Sequence, residues 1–253
     1  MVDPERVLHD LRLFKTDAEL AVLRAAAAIT GEAHRRAMAV TAPGVAEYVL
    51  EAEISHVFRL RGGTGPGYTT IVGGGANATI LHYIENEDAL RDGDLVCVDA
   101  GCEFRYYTAD VTRTWPVNGR FTDTQRAVYE AVLDAQLAAI DACRPGQTFM
   151  DVHDVATRRL TVAMVRLGLL EGDPDDDAAI DKLIEDEAHK RYYMHGTSHW
   201  LGMDVHDVGA YVGDGESRRL EPGMVLTIEP GLYIAPDDEA APEALRGIGI
   251  RIE

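Results

Sequence analysis

Four apolar runs in this sequence each begin or end on an acid, and no other feature limits the possible folds as strongly. Asp99 closes Leu95-Val96-Cys97-Val98, and Asp110 opens Val111-Thr112-Arg113-Thr114. Glu229 closes Met224-Val225-Leu226-Thr227-Ile228, and Glu253 closes Ile248-Gly249-Ile250-Arg251-Ile252. Each run reads as a strand or strand edge. An acid at the end of an apolar strand is poorly placed for solvent and well placed for a cation. With His199 the set offers four hard oxygen donors and one imidazole. That suits a pair of divalent ions of the manganese, cobalt or zinc kind, because neighbouring carboxylates repel unless about two doubly charged ions lie between them. Taken singly, Asp110 or Glu253 reads equally well as a surface charge; taken together, the acids point to a metal centre.

The two halves of the chain echo one another. Pro43-Gly44, a helix-spaced stretch, His82 and then Gly93 with Asp99-Ala100-Gly101 are followed by Pro145-Gly146, a helix, His199 and then Gly223 with Glu229-Pro230-Gly231. In both copies an acid follows the glycine by six residues, which suggests two similar α/β halves with a cleft between them. Chance similarity of two glycine-bounded strands is the competing reading. Thr16-Asp17-Ala18-Glu19 has capping-box spacing and predicts a long helix to about Met38. Apolar positions in residues 45–60 follow helical spacing. Tyr68 to Val72 and Thr79 to Tyr83 read as short strands, and Thr122 to Cys143 and Thr148 to Leu167 as two further helices.

The 253 residues, 46% of them hydrophobic, are enough for one large domain or two small ones. No apolar stretch approaches a membrane span, and residues 1–20 lack the basic start and apolar centre of a signal peptide, so the cytoplasm is the expected location. Cys97, Cys102 and Cys143 show no CxxC spacing and are expected as buried or half-buried thiols rather than disulfides or a zinc ribbon. The net charge of -19 argues against nucleic acid or an anionic membrane as partner. The acidic tracts 171–177 and 236–239 read as solvated loops.

The segment His195-Gly196-Thr197-Ser198-His199-Trp200-Leu201-Gly202-Met203-Asp204-Val205-His206 places three histidines within twelve residues, with glycines that permit close backbone approach. It lacks the helical HExxH spacing and reads as a strand and loop lining a cleft. A lone histidine is commonly a satisfied polar residue. Three of them, with His82 and five candidate ligands, point to a site.

These strings, HGTSHWLGMDVHDVG, YTADVTRTWPVNGRF, DGDLVCVDAGCEF, TIVGGGANATILHY, EPGMVLTIEPGLYI and GIGIRIE, resemble the catalytic domain of the pita-bread metallopeptidases, and among them most closely the aminopeptidase P family. The resemblance runs from about residue 10 to residue 253. It implies an α/β (α+β) pita-bread fold: two pseudo-symmetric halves and a curved, mainly antiparallel sheet covered by helices. It also implies a dinuclear metallo-aminopeptidase that releases the N-terminal residue from peptides with proline second. Prolidase, the Xaa-Pro dipeptidase, is the alternative, and a pita-bread binding module without catalysis is a more remote one.

In that family pattern Asp99 chelates one metal, His199 and Glu229 bind the other, and Asp110 and Glu253 bridge both. The ions are expected to be Mn2+, with Co2+ or Zn2+ as alternatives, acidifying a water and polarising the peptide carbonyl. Glu229 is then the expected proton acceptor. His82, His195 and His206 are expected around the scissile bond and the proline pocket, Tyr233 in a hydrogen-bonding relay, Arg251 beside Asp99, and Thr112 as a donor holding a metal carboxylate. The resemblance further implies a homo-oligomeric parent protein and peptide substrates with an Xaa-Pro N-terminus. Residues 1–15 are expected to be a linker from an absent N-terminal domain, and residues 16–253 the catalytic domain, truncated at its C-terminus.

Overall fold

The computed structural model describes residues 4–253. The helices are α1 (Pro4–Leu13), α2 (Asp17–Val40), α3 (Glu47–Leu60), α4 (Asp123–Ala142), α5 (Phe149–Arg166) and α6 (Asp177–Glu185). The strands are β1 (Gly65–Pro66), β2 (Ile71–Gly74), β3 (Leu95–Asp99), β4 (Cys102–Phe104), β5 (Tyr107–Thr108), β6 (Thr112–Pro116), β7 (Val212–Gly213), β8 (Glu216–Ser217), β9 (Gly231–Tyr233) and β10 (Gly249–Arg251).

Local sequence explains the longest helices. Thr16, Thr122 and Thr148 each accept a hydrogen bond from the backbone of the residue three further on. The side chains of Glu19, Gln125 and Asp151 return the bond, so reciprocal caps open α2, α4 and α5. Along α2 the buried positions Leu23, Ala26, Thr30, Ala33 and Ala37 alternate by three and four, laying one small-residue face against α3 and the strands below. Leu50, Ile54 and Phe58 of α3 are fully buried in the same cluster. Each contributes about 1.5–3 kcal/mol by leaving water. A second cluster joins Val128 and Val132 of α4 and Leu160 and Met164 of α5 to Leu232 and Ile250 of β9 and β10. Each helix pair therefore covers its own strands.

Every strand pairing among the described residues is antiparallel. In the sheet β2-β3-β6, Asp99 sits opposite Ile71 on one side and Thr112 on the other. β10 reaches the far edge of this sheet through a side chain. The Thr114 hydroxyl donates to Arg251 O at 3.0 Å and accepts from Arg251 N at 3.3 Å, and Glu253 N donates to Thr112 O at 3.0 Å. The strand approaches closely at Gly249, where a Cβ would stand 2.0 Å from the carbonyl oxygen of Ala78. These contacts bring Arg251 and Glu253 of the second half to Asp99 of the first.

Several local expectations are corrected. Thr79 to Tyr83 is not a strand: Gly75–Thr79 forms a 3-10 turn and the chain then loops, because Glu47 supplies the bonds a partner strand would have made. Strand β6 begins at Thr112, so Asp110 precedes it rather than opening it. Met224 to Ile228 is extended and pairs with residues 197–201 (Leu201 N to Val225 O, Thr227 N to His199 O, Glu229 N to Thr197 O), with one isolated bridge in place of a continuous strand. The acidic tract at 171–177 leads into α6, for which Asp176 is the cap. Within the expected linker, Pro4–Leu13 is helical and Leu13 is fully buried, which leaves the domain reading open. The three cysteines are free, two buried and one half-buried.

Candidate metal centre and cleft

The four strand-end acids and His199 do converge. Asp99 arrives at the end of β3 and Asp110 from the loop before β6. His199 and Glu229 come from the two paired extended segments, and Glu253 lies just beyond β10. Ligand atoms of Asp110, His199 and Glu253 lie within 4.8 Å of one another. His199 Nε2 stands 3.2 Å from Asp110 Oδ2 and 3.3 Å from Glu229 Oε1. Asp99 joins the group through Tyr68, whose hydroxyl reaches Asp99 Oδ1 at 2.5 Å and also contacts Asp110 Oδ1.

Charge balance shows what this arrangement requires. Burial pushes the carboxyl groups of Asp110, Glu229 and Glu253 upward, Glu229 to about 7, and the neighbouring acids add to the effect. Burial followed by Asp99 and Asp110 holds the Tyr68 hydroxyl well above its ordinary value, so one phenolic proton serves two carboxylates. Glu253 Oε1 is buried without any hydrogen-bond partner. The Arg251 guanidinium supplies one buried cation, 2.7 Å from Asp99 Oδ2. Burial opposes its charge, but Tyr233 and Asp99 outweigh it and keep Arg251 charged. Clustered acids with an unpartnered oxygen are the donor set of a divalent metal centre, and the residues present fit two such ions.

The histidine tautomers suit the same reading. His199 Nδ1 lies 3.0 Å from Trp200 O, so it carries the hydrogen and leaves the Nε2 lone pair facing Asp110 and Glu229. Burial lowers His199, yet Asp110, the Trp200 carbonyl and Glu229 together raise it above its ordinary value. His195 has a complete chain of partners. Arg251 Nη1 donates to the Tyr233 hydroxyl at 3.0 Å, Tyr233 donates to His195 Nε2 at 2.9 Å, and His195 Nδ1 donates to Gly196 O at 2.8 Å. That directionality requires a neutral imidazole, and burial lowers His195 to about 4. Arg251 also donates to the Thr112 hydroxyl at 3.2 Å, which in turn donates to Glu253 Oε2 at 3.0 Å.

A cleft of about 490 Å³ opens onto these residues. His82, His195 and His206 line it, as do the apolar side chains Leu81, Ile84 and Val205. His82 and His206 are exposed, and the His206 ring lies 4.4 Å from that of His199, centroid to centroid. All the sequence-predicted site residues thus fall on the cleft or immediately behind it. Sequence reasoning missed Tyr68, whose only signal was a tyrosine following a glycine-rich loop, and Thr227, whose hydroxyl accepts from His199 N and donates to Glu229 Oε1.

Comparison with known proteins agrees with this geometry. Residues 21–253 match metallopeptidase family M24. The whole chain is 54% identical to the Xaa-Pro aminopeptidase of Escherichia coli K12, of which it spans 56%. The structure of Pseudomonas aeruginosa aminopeptidase PepP superposes with a TM-score of 0.96 at 52% identity, over 99% of this chain and 55% of that one. Aminopeptidase P from E. coli with the inhibitor Pro-Leu gives a TM-score of 0.94 at 54% identity, over 100% of this chain and 56% of that one. The chain therefore spans little more than half the length of these relatives.

Proposed function

The chain belongs to metallopeptidase family M24, and from that membership we propose that it is the catalytic part of a dinuclear metal-dependent aminopeptidase that releases the N-terminal residue from Xaa-Pro peptides. The observation that carries this reading is the convergence of Asp99, Asp110, His199, Glu229 and Glu253 at the floor of a cleft rimmed by three histidines. The domain reading, residues 1–15 as linker and 16–253 as catalytic unit, belongs to the same proposal.

Asp99, Asp110, His199, Glu229 and Glu253 would hold two divalent ions, which supply an acidified water and a polarised peptide carbonyl at neutral pH. Manganese is the proposed native ion because oxygen donors dominate the set. Glu229, which lines the cleft, accepts from the Thr227 hydroxyl at 3.3 Å and stands 3.3 Å from His199 Nε2, would take a proton and return it to the leaving amine. His206 and His82 project into the cleft, where a ring N–H can donate to the oxygen that gains charge in the transition state. Neutral His195, held by Tyr233, keeps a cation away from the substrate's charged amine, and Asp99 offers that amine a carboxylate. The apolar wall at Leu81, Ile84 and Val205 suits a proline ring.

Among the described residues no helix is long and apolar enough to cross a membrane. The free cysteines support a reducing cytoplasm, and the net charge of -19 supports the reading without nucleic-acid or anionic-lipid partners. A homo-oligomeric parent protein completes the proposal.

The test is reconstitution of metal-free protein with Mn2+, Co2+ or Zn2+, followed by assay on Xaa-Pro-Xaa tripeptides and Xaa-Pro dipeptides. Cleavage of the tripeptides at the first bond, highest with manganese, is expected. Cleavage of dipeptides alone would replace the aminopeptidase with a prolidase, and no bound metal would leave only the binding module.

A further inference from the structure

A buried ion pair lies directly behind the cleft, outside the metal-binding set. Lys15 Nζ is 3.0 Å from Asp207 Oδ2, and both side chains are 1% exposed. Asp207 Oδ1 also accepts from Arg12, whose guanidinium reaches Asp204 at 2.7 Å. Burying two charges costs several kcal/mol per ion before their attraction is counted, so a pair this deep is a poor device for stability alone.

The chain is wrapped around the pair. Asp207 N donates to Trp200 O at 2.9 Å and closes residues 200–207 into a loop. Thr108 N anchors the middle of that loop by donating to Gly202 O at 2.9 Å. A Cβ on Gly202 would stand 2.0 Å from Asp207 Oδ2 and 2.9 Å from Lys15 Cε, so the backbone there is moulded on the ion pair. Lys15 is itself fixed, its N–H donating to Gly223 O at 2.8 Å. His199 stands just before this loop, and His206, which lines the cleft, immediately precedes Asp207.

We propose that Lys15, assisted by Arg12, is a positioning residue that sets the His206 ring over the catalytic centre by clamping Asp207. Lys15 Nζ bonds to Asp207 Oδ2 and Leu13 O, and Lys15 does not line the cleft. It lies at the junction of α1 and α2, and with Arg12 of α1 bonded to Asp204 and Asp207, a movement of α1 reaches the loop that carries His206 through these ion pairs. The inference rests on the aminopeptidase reading for its kinetic arm but not for its spectroscopic one.

The experiment is a cycle of variants in the full chain loaded with manganese. Lys15→Met should lower kcat by about 10- to 100-fold, the scale set by ångström misplacement of a catalytic group, with two ions retained and KM changed by less than about threefold. In a His206→Ala background the same substitution should change kcat by less than about twofold, because the group through which it acts is gone. Proton–nitrogen spectra of the imidazoles, recorded on the same variants loaded with diamagnetic Zn2+ in place of Mn2+, should show the His206 resonances displaced in Lys15→Met and restored toward wild type in Lys15→Arg. Should Lys15→Met not fold, Arg12→Met, removing a partly exposed partner, takes its place with a smaller effect of the same pattern. An equal fall in both backgrounds, or unmoved His206 resonances, would overturn the proposal. Absence of peptidase activity in the wild type would remove the aminopeptidase reading and leave the spectroscopic arm to decide.

Discussion

Within the cleft, neighbouring histidines divide the work according to what holds each ring. His199 is fixed by the Trp200 carbonyl and turned towards two carboxylates, whereas His206 is exposed and has no carboxylate within ion-pair reach among the described residues. His206→Ala should therefore lower turnover by about two to four orders of magnitude, the range for losing an oxyanion donor or proton-transfer group, with both metals still bound. His199→Ala should instead lose metal, and elemental analysis of the two proteins separates the cases. The acids, and the histidines at 195, 199 and 206, were legible in the sequence because each acid borders an apolar run and the three histidines share one short glycine-punctuated string. Tyr68, Lys15 and Asp207 were not. Their roles depend on partners 31 to 192 positions away, and nothing local distinguishes them from ordinary residues of a loop, a helix junction and a surface.

At the scale of elements the same division holds. The capped helices α2, α4 and α5 were readable to within a residue or two, since cap and apolar stripe lie in one continuous stretch. The segment after β2 was misread as a strand because its bonds come from Glu47, about thirty residues upstream. That carboxylate is fully buried and accepts from Gly74 N at 2.7 Å, Asn77 Nδ2 at 3.1 Å, Tyr83 OH at 2.9 Å and Asp88 N at 3.0 Å. It ties the start of α3 to the loop that carries His82. Glu47→Gln keeps the volume but places an amide donor against existing donors. We expect a loss of about 2 kcal/mol, seen by calorimetry as a melting point lower by roughly 4–8 °C. An unchanged melting point would mean that the loop is held by other contacts.

For the whole molecule, the arrangement of two helix-covered halves was visible in the echo of Pro-Gly, helix, histidine, glycine and acid. The joint between the halves was not, because it runs through Thr114 and through Glu253 N to Thr112. The interior also has a characteristic response to acid. His34 of α2 is 3% exposed with Nε2 lacking a partner, and burial lowers it below the 6.5 of an unfolded histidine. The native state therefore binds fewer protons here than the unfolded one, and stability is lost as pH falls below the unfolded value. The buried acids act in the opposite sense, so the informative quantity is a difference. Between about pH 7 and pH 5, wild type should lose melting temperature relative to His34→Gln, and parallel curves would show that His34 does not carry this term.

Trp200 lends the site one more property. Its indole is fully buried, stacked on Tyr211 at 5.4 Å and tilted against Phe149 at 5.1 Å, while its own carbonyl holds His199 Nδ1. The chain has only two tryptophans, and the other, Trp115, lies in the β2-β3-β6 sheet of the first half. The Trp200 indole is therefore one peptide unit from the imidazole that faces the metal centre. Titrating manganese into the metal-free protein should change the fluorescence in step with binding, and Trp200→Phe should abolish the change while Trp115→Phe preserves it. That outcome would give an optical gauge of occupancy, readable without substrate or label.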